Sequence, residues 1–174
     1  MDAAERDALI TAEDARLLQR VNAEFVRSGG PGGQHRNKVS SGVRLRHAES
    51  GIMVTATEQR NQHANRRTAL RRMRQAVALG VRVPAAPLEG WPADLRAVLR
   101  SSRWPRLSAR AQDYWPLAAR VLDRLAADGA KLSDSAAALG VSTASLVKFL
   151  GTDTGLWTAA LHLRKDAGLA PLRK

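Results

Sequence analysis

No cysteine occurs among the 174 residues, which excludes disulfides, thiol nucleophiles and thiolate metal sites. Four scattered histidines make a poor case for zinc, and a reducing compartment fits the missing thiols. Aromatic residues are only 4% of the chain. No apolar run approaches the roughly 18 residues that a transmembrane helix needs, so no membrane span is expected. The opening MDAAERDALITAEDARLL is acid-rich and lacks a signal peptide's apolar core, so a cytoplasmic location is expected.

Acids are also scarce: 16 Asp and Glu face 28 Lys and Arg, for a net charge of +12. The excess is uneven, at −3 over residues 1–19, +10 over 20–82 and +5 over 83–174. A concentrated positive region steers a protein toward polyanions, most commonly nucleic acid. Hydrophobic residues at 44% and charged residues at 25% are ordinary for a soluble globular chain. The length fits one domain, or one compact domain with an appendage.

Thr11 and Asp14 read as a helix start, with Leu17, Leu18 and Val21 as a short apolar face. Residues 22–27 read either as a prolongation of that helix or as a first strand, and the strand is preferred. Residues 28–33, SGGPGG, hold four glycines and a proline and must form a loop. A short helical turn is expected over 37–41. Val43, Leu45 and His47 alternate with arginines, and 52–57 alternates again beyond the AESG turn, as in a hairpin with one buried face. Residues 62–79 have helical spacing, with Ala69, Leu70, Met73, Ala76 and Val77 on one side and Arg66, Arg67, Arg71, Arg72 and Arg74 on the other. Residues 80–92, with three prolines and two glycines, read as a boundary. A helix carrying Tyr114, Ala118, Val121, Leu122 and Leu125 follows, then two short helices over 132–150 and another over 156–165.

The stretch with chemical content is Arg27-Ser28-Gly29-Gly30-Pro31-Gly32-Gly33-Gln34-His35-Arg36-Asn37-Lys38. It resembles the GGQ loop of class I peptide-chain release factors and of the ribosome-rescue peptidyl-tRNA hydrolases that share that domain. The resemblance continues through Val43-Arg44-Leu45, Ser50-Gly51-Ile52 and Arg60-Asn61-Gln62-His63-Ala64-Asn65-Arg66, covering about residues 22–79. Hydrolysing the ester of peptidyl-tRNA needs a positioned water and a donor aimed at the oxyanion or leaving oxygen. Two glycines allow unusual torsions and close approach of the main chain, so the Gln34 N–H can be that donor. The resemblance implies this role for Gln34, a conformational role for Gly32 and Gly33, and a glutamine methyltransferase as a partner acting on Gln34. It implies no metal or organic cofactor.

Arg27, Arg36 and Lys38 read as phosphate contacts holding the loop in the peptidyl-transferase centre, or else as ordinary solvated surface. Asn37 reads equally as a cap for the following turn. Arg66, Arg67 and Arg71 read as RNA-facing groups of a basic helix, against the alternative of a merely soluble face. Ser28, Ser40, Ser41, His35 and His47 lack an acidic partner for a catalytic triad and read as backbone caps or surface groups. Gln62, Asn65 and Arg66 belong to the resemblance without a derivable role.

The chain departs from the family at Arg36, where an aliphatic residue is usual. Release factors that read stop codons need a further domain, so codon dependence is not expected. Residues 161–174 are not the Lys/Arg-rich tail of the short rescue enzymes. Instead Ala136, Gly140, Val141, Leu146 and Phe149 have helix-turn-helix spacing, with Ser142 as a cap. With Lys148 the only cation on the second of these helices, a three-helix packing unit is preferred to a nucleic-acid reader. Trp91, Trp104, Trp115 and Trp157 read as packing anchors.

The expected fold is α+β: a small release-factor-like GGQ domain, a short sheet with a packed helix, over residues 1–80, a linker over 81–104, and an all-α helical targeting module over 105–174. The expected activity is codon-independent hydrolysis of peptidyl-tRNA on stalled ribosomes or separated large subunits, with large-subunit rRNA and P-site peptidyl-tRNA as partners. Two other readings are a non-catalytic ribosome- or RNA-binding protein and a helix-turn-helix DNA-binding regulator.

Overall fold

Val43 and Leu45 alternate with Gly42, Arg44 and Arg46, and this period of two builds the middle strand of a three-stranded antiparallel sheet. A computed structural model describes residues 1–26 and 41–172. The described chain divides into two compact units, one of residues 5–77 with Met1 and one of residues 78 onward with 2–4.

In the first unit the elements are α1 (Ala3–Thr11), α2 (Asp14–Leu18), β1 (Asn22–Val26), β2 (Gly42–Arg46), β3 (Met53–Ala56) and α3 (Gln62–Gly80). The sheet order is β1-β2-β3. Val43 and Leu45 pair with Ala56 and Val54, and Val43, Leu45 and Ala56 are fully buried. Ala69, Leu70, Met73 and Val77 of α3 are buried in the same unit, as the helical spacing requires. The β2–β3 turn closes with the His47 N–H donating to the Ile52 carbonyl at 2.9 Å, and Gly51 supplies the left-handed residue at φ +70°.

Two local expectations change. Thr11 ends α1 rather than starting a helix, its hydroxyl donating to the Asp7 carbonyl at 2.8 Å, while Glu13 precedes the five-residue α2. The strand reading of 22–26 holds. His47 is not a surface group: it is buried, and its Nδ1 caps the turn by accepting the Ser50 N–H at 3.2 Å. The turn of helix expected over 37–41 lies outside the described residues up to 40.

The second unit holds a 3-10 turn (Leu88–Gly90), α4 (Ala93–Leu99), α5 (Tyr114–Ala127), α6 (Leu132–Ala138), α7 (Thr143–Leu150) and α8 (Thr154–Asp166) around one apolar core. Residues 81–104, expected as a linker, send Trp91, Leu95, Val98 and Leu99 into that core. The glycines and prolines of 80–92 conceal a segment whose apolar residues recur at helical spacing from 91 onward. α6 ends in a paired C-terminal motif: Gly140, at φ +65°, donates its N–H to Ala137, and Val141 donates to Ala136. Ser142 then caps α7 through its side chain, which accepts from the Ser145 N–H at 3.1 Å. Among the described residues no helix is long and apolar enough to cross a membrane.

Candidate functional site

Gly32, Gly33 and Gln34, with Arg27, Arg36 and Lys38, lie outside the described residues; the frame from which they depart and to which they return is described. β1 and β2 are antiparallel, with Val26 directly opposite Gly42. The two roots of the 27–41 segment are therefore neighbours across a strand pair, about 5 Å apart at Cα. Gly42 is required there for space: a Cβ would lie 2.7 Å from the Val26 carbonyl oxygen and 2.8 Å from Thr57 Cγ2.

A second tie comes from α3. Asn65 is fully buried, and its Nδ2 donates to the Ser41 carbonyl at 2.7 Å and to the Gln59 carbonyl at 2.8 Å. Its Oδ1 accepts from the Gln59 N–H at 2.9 Å. One amide thus fastens the last residue before β2, the turn after β3 and the first turns of α3. Asn61 caps that helix, its Oδ1 accepting from the His63 N–H at 2.7 Å. The sequence carried both asparagines without a role for Asn65. The signal was an Asn pair four residues apart at a helix start, the first in the capping position and the second facing inward.

The arginines of α3 divide. Arg67 and Arg71 are exposed, four residues apart on one face, and meet no carboxylate among the described residues. Arg66 is half-buried and lies about 100° round the helix from Arg67. Arg72 and Arg74 serve the fold instead. Arg72 donates to the Thr55 carbonyl at 2.6 Å and pairs with Glu58 at 2.7 Å. That hydrogen bond holds the Glu58 carboxyl below the usual carboxylate range. Arg74 donates to the Ala12 carbonyl and to Asp14, both at 2.7 Å. The five-arginine stripe expected from the sequence is thus two exposed guanidinium groups, one half-buried one and two structural ones. On the sheet, Arg44 faces Glu24 at 3.6 Å across the β1–β2 pair.

Residues 17–85 match the RF-1 domain family. The chain is 48% identical over 59 residues to an Escherichia coli protein named peptide chain release factor homolog, which covers 34% of this chain and 29% of that protein. It is 46% identical over 70 residues to peptide chain release factor 1 of Dictyoglomus thermophilum, covering 40% and 17% respectively. It is 46% identical over 65 residues to peptide chain release factor 2 of Treponema pallidum, covering 37% and 16%. The match spans less than a third of these curated relatives. No solved structure matches significantly. The β1–β2–β3 sheet and α3 lie within residues 17–85, the span over which the chain is similar to the RF-1 domain.

Proposed function

We propose that the protein hydrolyses peptidyl-tRNA on the ribosome, and does so without reading a codon. The observation that carries this reading is Gly32-Gly33-Gln34 lying inside the RF-1 match, in a segment whose two roots are fixed by the Val26–Gly42 pairing and the Asn65 amide. In this reading Gly32 and Gly33 let the main chain approach the ester, and the Gln34 N–H donates to the oxygen on which charge develops. The Gln34 side chain shapes the pocket that admits the attacking water, and a methyltransferase modifies its amide. Arg27, Arg36 and Lys38, with Arg66, Arg67 and Arg71 on α3, contact rRNA phosphates and set the depth of the segment in the peptidyl-transferase centre. Arg67 and Arg71 are best placed for this, by their exposure and shared face.

In this reading the second unit, a helical module that lies almost wholly beyond the RF-1 match, directs the catalytic segment to stalled ribosomes or separated large subunits. The cytoplasm is then the working compartment. The test is release of labelled peptide from stalled complexes and from peptidyl-tRNA-bearing large subunits by the wild type and by Gly33→Ala. Release that Gly33→Ala abolishes on a complex with an empty decoding site supports the reading. No release on either substrate, despite ribosome binding, removes it and leaves a non-catalytic ribosome-binding protein.

A further inference from the structure

The second unit sorts its arginines into two groups. Four are committed to the fold. Arg82 donates to Asp123 at 3.0 Å and to the Ala119 carbonyl at 2.8 Å. Arg120 is buried with its guanidinium 5.8 Å from the Trp91 ring. Arg124 pairs with Asp128 at 2.6 Å, and Arg164 donates to the Ala130 carbonyl at 2.8 Å.

The other group follows a different rule. Arg96, Arg100, Arg103, Arg106 and Arg110 recur every three or four residues along a stretch that contains no acid between Asp94 and Asp113. Arg100, Arg103, Arg106 and Arg110 are exposed. Among the described residues only Arg103 meets a carboxylate, Asp113, at a loose 3.4 Å with half its side chain in solvent. Arg96 is half-buried, and its Nε has no hydrogen-bond partner among the described residues.

The backbone carrying these groups is anchored. Arg100 follows buried Leu99, Arg106 precedes buried Leu107, and Arg103 and Arg110 precede Trp104 and Ala111, which pack against the same core. Successive turns close through Ser101 to Val98, Trp104 to Ser101, Arg106 to Arg103 and Ala111 to Ser108. Each outward guanidinium is therefore hinged on an inward anchor, so little backbone freedom is left to lose on binding. Every cation in the row is an arginine, whose planar fork meets phosphate oxygens two at a time.

We propose that the 96–110 arginine row is an RNA-binding surface of the second unit that grips the phosphate backbone without reading bases. The choice of RNA rests on the function proposed above, whereas the row itself does not. A bilayer is a poor match: the large exposed apolar side chains among the described residues are Phe25 and Met53, both in the first unit, and Trp104 is turned inward with its Nε1 donating to Ser145 at 3.2 Å. A phosphate grip does not itself separate RNA from DNA, since it enters no groove and reads no base, so RNA is chosen over DNA on the proposed function alone.

The test uses the full chain, a labelled RNA hairpin, a DNA hairpin of the same sequence and phosphatidylglycerol vesicles. The triple variant Arg100→Gln, Arg106→Gln, Arg110→Gln is compared with Lys131→Gln, Lys148→Gln, Lys165→Gln, which removes equal charge from scattered exposed positions. The arginine triple is expected to weaken RNA binding about tenfold or more at low salt and to lower the log–log salt slope by about 2 to 3. The lysine triple is expected to stay within about threefold of wild type. A single Arg106→Gln, which changes one exposed side chain, is expected to lower the slope by about 0.7 to 0.9. Wild-type RNA binding by the arginine triple, equal weakening by both triples, or arginine-dependent binding that favours DNA or vesicles over RNA would each overturn the proposal. Because no peptide release enters the measurement, failure of the hydrolase reading shows separately, as absent release with arginine-dependent RNA binding intact.

Discussion

Asn65 Nδ2 lies 2.7 Å from the Ser41 carbonyl oxygen, so a side chain on α3 holds the residue from which β2 departs. The same amide satisfies both the N–H and the carbonyl of Gln59. Asn65→Ala leaves three buried or part-buried main-chain groups without their partner, and a loss of about 1–3 kcal/mol is expected. Asn65→Asp is expected to be at least as damaging, because an ionised carboxylate there faces two carbonyl oxygens with no donor to offer. All four tryptophans and the one tyrosine lie at position 91 or beyond. Unfolding of the first unit must therefore be followed by far-UV circular dichroism rather than tryptophan fluorescence; wild-type stability in Asn65→Ala would show that the amide ties nothing down.

Gly42 and Gly51 are glycines for different reasons, and substitutions separate them. At Gly42 a Cβ meets the Val26 carbonyl at 2.7 Å, so every replacement is expected to push β1 from β2 and cost about 1–3 kcal/mol. At Gly51 a Cβ meets nothing within 4 Å, and only the φ of +70° resists a side chain. Gly51→Asn is therefore expected to be tolerated better than Gly51→Ala, since Asn visits the left-handed region more readily. At Gly42, Asn is expected to be no better than Ala. Urea midpoints of the four variants check both orderings.

The elements legible in the sequence were those with a clean period. Val43-Arg44-Leu45 and the 62–79 helix declare themselves because one face of each is buried and the other is not. α1 was hidden because its apolar residues cluster at Ala8, Leu9 and Ile10 instead of recurring, and its burial includes Arg6, which composition assigns to the surface. The α3 arginines looked equivalent because charge alone does not tell a guanidinium that reaches Thr55 and Glu58 from one left in solvent. Asn65 was visible only as part of a motif. Its role depends on Ser41, 24 positions away, and no local pattern announces a contact of that range.

Asp123 is expected to matter more than an ordinary ion-pair partner. It is 3% exposed and accepts from Arg82 at 3.0 Å and from the Val83 N–H at 3.2 Å. Asp123→Ala removes the carboxylate while leaving the Arg82 charge partly buried, so a loss of about 3–5 kcal/mol is expected. Arg82→Lys is expected to cost less than Asp123→Ala but more than nothing, since an ammonium keeps the charge without the fork that serves Ala119 and Asp123 together. Both losses belong to the second unit, so tryptophan fluorescence reports them; a first-unit transition that shifts equally by circular dichroism would contradict that placement.

Tyr114 gives the second unit an alkaline limit. Its side chain is fully buried, with the hydroxyl 2.7 Å from Thr152 Oγ1 and the ring 5.6 Å from Phe149. Burial pushes the phenol from 10.0 up to about 12, the Thr152 hydrogen bond works against that rise, and Asp153 adds to it. The folded state then keeps a proton that the unfolded chain releases, so stability is fully present below pH 10 and is lost as pH rises toward 12. Tyr114→Phe deletes the titrating group along with the Thr152 hydrogen bond. The variant is expected to be less stable at neutral pH, yet to lose less stability than the wild type between pH 10 and pH 12. Urea midpoints of the two proteins across that window, followed by circular dichroism, measure it; parallel profiles would mean that the buried phenol is not what sets the alkaline limit.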